Sequence, residues 1–135
     1  VLAHELAHAY THLGRDIDSV RWDTERFAEA ELDIVEGLAQ FYTAVLCRRL
    51  DARMPAAIAA YKRLLEKQSG PYKAHLAWVK NDEEGGEIMR VAMIECRSQG
   101  MTEAAKFAEA VARYRKAIPK RSRPQPLFEE DDVGF

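Results

Sequence analysis

Apolar side chains recur along this chain with the period of an α-helix, and polar breaks divide them into segments. Leu2, Leu6, Ala9 and Leu13 share one face of a helix over residues 1–13, with Gly14 as a stop signal. The polar run Arg15–Asp23 breaks the period and reads as a loop. A long second helix is predicted from about Glu25 to Leu50, with Asp23 or Thr24 as N-cap. Its stripe is Phe27, Ile34, Leu38, Phe41 and Val45, widened by Val35, Ala39, Tyr42 and Leu46. A third helix begins at Pro55, a residue suited to a first turn, and ends before Ser69-Gly70. Pro71–Lys80 predicts a short helix. The glycines of "NDEEGG" then read as a break, with a further helix from Glu87 to about Ser98. Gly100 stops that one, and Thr102 is the expected cap of a final helix ending at Pro119.

No alternating strand pattern occurs, so the expected fold is all-α, with about five to six helices. Residues 1–118 form the predicted domain. The remainder, 119–135, carries prolines, a basic cluster and an acidic cluster, and reads as a flexible tail.

Composition narrows the function classes. The 135 residues are 47% hydrophobic and 31% charged, with a formal net charge of −2. Such a balance lacks the basic excess of nucleic-acid or membrane-surface binders. No run is long enough to span a bilayer. Cys47 and Cys96 each fall within an apolar helical pattern and read as buried, reduced thiols, which leans toward the cytoplasm. The chain starts inside a patterned helix with neither cap nor Met. That predicts the C-terminal portion of a larger protein.

The first helix also carries chemistry. His4 and His8 are four apart and stack on one helical face, where both imidazoles reach a single ion. Glu5 lies one position round, beside that ion without having to ligate it. This is the H-E-x-x-H arrangement. Neutral histidines hold the metal, the metal acidifies water, and the carboxylate takes the proton. The leucine stripe lies on the opposite side, so the helix is expected to bury its leucines and present His4, Glu5 and His8. His12 extends the histidine face but sits about 12 Å along the axis from His4, too far to share an ion. A known extension of the motif would place another histidine at position 14, which is Gly14 here.

A catalytic zinc ion takes three protein ligands and one open position. The second helix offers Glu29, Glu31, Asp33 and Glu36. Glu36 borders the apolar arc and precedes Gly37, a helix-interior glycine that calls for a close approach by a neighbour. Glu31 falls within the arc, where a carboxylate is costly unless paired or coordinating. Both remain open on this reading.

"HELAH" at 4–8 followed by "VEGLAQFY" at 35–42 resembles the gluzincin class of zinc metallopeptidases. The resemblance implies His4, His8 and Glu36 as zinc ligands and Glu5 as catalytic base. It also implies a helical zincin-like subdomain in which the motif helix packs on the long glutamate-bearing helix. The β-sheet that precedes that helix in such enzymes has no counterpart in this chain. The class supplies a downstream Tyr or His to stabilise the oxyanion, which points to Tyr72 or His75, with Tyr61 and Tyr42 as further options. The function implied is hydrolysis of a protein or peptide substrate, although such a fragment is expected to be inactive if the substrate shelf lies elsewhere. A non-catalytic helical interaction module retaining a metal site is the alternative, and a metal-free helical scaffold the third.

Overall fold

The structure is a computed structural model that describes residues 1–79 and 82–118, apart from the side chains of 82–84. The predicted tail, 119–135, lies outside the described residues. The described chain is all-helical, as the periodicity implies. Seven α-helices follow one another: α1 (Leu2–Leu13), α2 (Thr24–Glu29), α3 (Leu32–Arg49), α4 (Pro55–Lys67), α5 (His75–Trp78), α6 (Asp82–Ser98) and α7 (Ala104–Ala117). A 3-10 turn, Gly70–Lys73, lies between α4 and α5. None of the described helices is long and apolar enough to cross a membrane.

Helix α3 is the axis of the fold. It packs against α1, α4, the 3-10 turn, α5 and α7, while α6 packs on α7. Its Ile34, Leu38 and Phe41 are fully buried, facing Trp78 of α5, Met89 and Met93 of α6, and Phe107 and Val111 of α7. Burying side chains of this size stabilises by roughly 1.5–3 kcal/mol each before entropy is counted.

The structure corrects several expectations. The long second helix is interrupted: Ala30 and Glu31 are extended, with ψ of 139° and 141°. Tertiary partners explain the break. The Glu31 N–H donates to the Thr102 carbonyl at 2.9 Å, and a Glu31 carboxylate oxygen accepts from the Ala104 N–H at 3.0 Å. Glu31 therefore satisfies an orphan donor at the start of α7. Thr102, expected to cap α7, instead lends its carbonyl to Glu31, and Glu103 is the N-cap. Asp23 caps α2, accepting from the Arg26 N–H at 3.0 Å.

Helix α6 begins before its predicted start and runs through both glycines. A Cβ on Gly85 would lie 2.9 Å from Val79 and 3.2 Å from Phe41, so this glycine permits a close contact within a helix that continues past it. The orientation of α1 is reversed from expectation. Leu2, Leu6 and Leu13 are 72%, 56% and 53% exposed, whereas Ala7 and Thr11 are buried. Small side chains at the contact let α1 lie close on α3, and this turns the histidine face inward.

The loop between α1 and α2 is firmly tied. Arg90 grips Asp16 through two bonds of 2.7 and 2.5 Å, and Arg97 grips Asp18 through bonds of 3.2 and 2.5 Å. Both are fork-on-carboxylate pairs, the geometry in which arginine binds strongly. The Arg90 guanidinium holds the Asp16 carboxyl down at about 2, and Arg97 lowers that of Asp18. Trp22, in the same loop, is buried against Phe27.

Candidate metal centre

Helical geometry stacks His4 and His8 one turn apart on α1, and the packing of α1 on α3 brings Glu36 to meet them. His4 Nε2 lies 3.0 Å from Glu36 Oε2 and 3.0 Å from His8 Nε2, and His8 Nε2 is 3.4 Å from Glu36 Oε2. The three side chains are 15%, 23% and 17% exposed, which leaves a side open to solvent. This is the one group of three metal-ligating side chains that converges among the described residues.

The contacts have a proton solution: one His4 Nε2–H, shared between the Glu36 carboxylate and the His8 lone pair, serves both 3.0 Å contacts. A cation would occupy the same space with all three lone pairs turned toward it. Three ligands of a tetrahedral zinc ion, with bonds near 2.05 Å, stand about 3.3 Å apart. The observed triangle of 3.0, 3.0 and 3.4 Å has that size. The donor set of two imidazoles and one carboxylate suits zinc, so the residues fit the group.

The other predicted residues fall in varied places. Glu5 is exposed on α1, one position round from His4. Tyr72, on the 3-10 turn, sits beside the centre, its ring centroid 6.0 Å from that of His4 and tilted by 33°. His75 is turned into the interior. It is 4% exposed, and its Nε2 lies 2.8 Å from the Tyr61 hydroxyl. Burial pushes its pKa down to about 4, with the nearby Tyr72 carbonyl opposing the shift. His75 is therefore a neutral, buried hydrogen-bonding group at neutral pH, and Tyr61 is its partner. Tyr42 packs edge-on against Tyr10 at 5.0 Å, and burial raises its phenol pKa.

Glu31, the rival ligand, is engaged at the α7 N-terminus. Glu29 pairs with Arg26, and Asp33 is exposed. His12 stacks on Phe27 at 4.5 Å with Nε2 3.3 Å from the Thr24 hydroxyl, and takes no part in the triad. Gly37 has its close neighbour: a Cβ there would lie 2.5 Å from the Trp78 ring. The sequence reading missed Gln40, one turn beyond Glu36, which is buried and bonded to Gln68 at 2.6 Å. An amide inside the apolar stripe was the signal that could have found it. Two concavities of about 410 and 320 Å³, beside Ile94 and Gly100, are lined by none of these residues.

No protein-family model, curated protein or solved structure matches the chain.

Proposed function

We propose that this chain carries the zinc centre of a metallopeptidase, with His4, His8 and Glu36 as ligands and a protein or peptide as substrate. The observation that carries the reading is the convergence of three ligand atoms, from two imidazoles and one carboxylate, at the mutual spacing of ligands around a tetrahedral zinc ion. A zinc ion with three protein ligands and an open position supplies Lewis acidity toward a carbonyl and acidifies water.

The chain's own groups divide the remaining work. Glu5, exposed beside His4, accepts the proton of the attacking nucleophile and returns it to the departing amine. The Tyr72 phenol, beside His4, is a hydrogen-bond donor for charge developing on the carbonyl oxygen. Helix α3 fixes Glu36, and α1 fixes both histidines, so the ligands ride on two packed elements. The free state of both cysteines favours a reducing compartment, the cytoplasm.

A second reading, a non-catalytic helical interaction module with a retained metal site, draws on the exposed leucines of α1. Metal analysis and hydrolysis assays separate the two. About one zinc per chain is expected, lost in His8→Ala and Glu36→Ala and kept in Glu31→Ala. A zinc-free wild type, or loss confined to Glu31→Ala, overturns the assignment. Peptide hydrolysis lost in Glu5→Gln with zinc retained supports the enzyme. Zinc binding with hydrolysis that Glu5→Gln leaves unchanged removes Glu5 as the base and supports the module.

A further inference from the structure

Tyr72 rides on a short 3-10 turn between α4 and α5, an element with little intrinsic rigidity. Two hydrogen bonds between side chains bracket that turn. Before it, the Gln40 amide donates to Gln68 Oε1 at 2.6 Å. After it, His75 Nε2 meets the Tyr61 hydroxyl at 2.8 Å. Gln40, His75 and Tyr61 are 1%, 4% and 7% exposed. Polar groups at such depth cost free energy unless bonded, and a bonded pair fixes geometry in a way an apolar contact does not. The two anchors reach different helices: Gln40 sits on α3 one turn beyond Glu36, and Tyr61 sits on α4.

We propose that Gln40 and the Tyr61–His75 pair are positioning residues that hold the Tyr72 ring against His4, tying the phenol to the helix that carries Glu36. The inference rests on the reading of Tyr72 as the oxyanion donor only for its catalytic meaning. The positioning itself is read without metal or substrate. His75 thus acts through Tyr72, and its burial serves that end.

The experiment is nuclear Overhauser spectroscopy on the metal-free full chain, comparing the Tyr72–His4 ring cross-peak with the Tyr10–Tyr42 cross-peak. The second pair joins α1 to α3 away from the turn and reports the fold. In Tyr61→Phe and Gln40→Leu the Tyr72–His4 intensity is expected to fall roughly threefold or more, a displacement of about 1 Å being enough to matter at a reacting centre. The Tyr10–Tyr42 intensity should hold. His75→Gln, which keeps a polar partner for Tyr61, should restore what His75→Leu loses. Gln68→Ala, at a half-buried site, tests the first anchor if Gln40→Leu unfolds. An unchanged Tyr72–His4 cross-peak overturns the proposal, as does a parallel fall of both cross-peaks in every variant. Failure of wild-type chain to bind zinc would instead count against the metallopeptidase reading and leave this result standing.

Discussion

Gly37→Ala tests how tightly the helix bearing Glu36 is packed. An added Cβ would lie 2.5 Å from Trp78 Cη2, 2.9 Å from Cζ3 and 3.2 Å from the Ala74 Cβ. Carbon atoms rest at about 3.5–4.0 Å, so the first overlap is about 1 Å. Trp78 cannot easily retreat: it is 5% exposed, and its ring stands edge-on to Phe107 with centroids 4.9 Å apart. Replacing glycine inside a helix gains about 1 kcal/mol in propensity, while overpacking costs about 1–3 kcal/mol and sometimes more. With a closed ring opposite, the overpacking cost falls at the upper end. The net loss is then about 1–2 kcal/mol, or a drop in Tm of several degrees for a domain of this size, at about 3–6 °C per kcal/mol. Gly86→Ala on α6 is the control. Nothing lies within 4 Å of its Cβ, so the propensity gain of about 1 kcal/mol should appear undiminished. Urea unfolding followed by circular dichroism measures both. A Gly37→Ala chain as stable as wild type, or more so, refutes the packing argument.

Three further outcomes follow from the same structure. Burial lowers the His75 pKa from the ordinary 6.5 to about 4, so the unfolded chain takes up that proton first as pH falls. Its contribution is therefore present above about pH 6.5 and lost between there and about 4, with an upper limit of roughly 3 kcal/mol. Subtracting a His75→Gln pH series from that of wild type isolates it, and a flat difference between pH 7 and 4.5 would refute it. Asp18→Ala should lower Tm more than Asp16→Ala, because Arg97 is left with a side chain only 1% exposed whereas Arg90 is 33% exposed and keeps Glu87. Equal losses in thermal melts would contradict that order. Burial pushes the Cys96 thiol up to about 12, while Cys47 is half-buried and raised less. A thiol reagent should therefore label Cys47 in the native chain and Cys96 only on unfolding, as peptide mapping can check.

Periodicity was enough for the all-α class and for α1, α4 and α7 to within a residue or two, and Asp23 was one of the two residues offered as the cap near position 24, because those signals are local. The spacing of His4 and His8 likewise put two candidate ligands on one face before any packing was known, since a helix stacks residues four apart. What the chain's order could not express was which distant group each polar side chain would meet. Glu31 was drawn out of the long helix by the amide of Ala104, and the break at Ala30 follows from that meeting. Gly37 and Gly85 look alike to any propensity scale as helix breakers, yet each sits within a helix where an aromatic or branched neighbour comes close. The leucine stripe of α1 predicted a buried face, but Ala7 and Thr11 form the contact with α3, since smaller side chains let two helices approach more closely. That choice of face is tertiary, and it decides the site: turning α1 the other way would carry His4 and His8 away from Glu36. Sequence alone thus determined the all-α class, most helix positions and the shared face of His4 and His8, and it offered Glu36 with Glu31 as its rival. The packing of α1 on α3 decided between the two carboxylates by bringing Glu36 to His4 and His8, because convergence depends on how two elements pack and no local pattern encodes it.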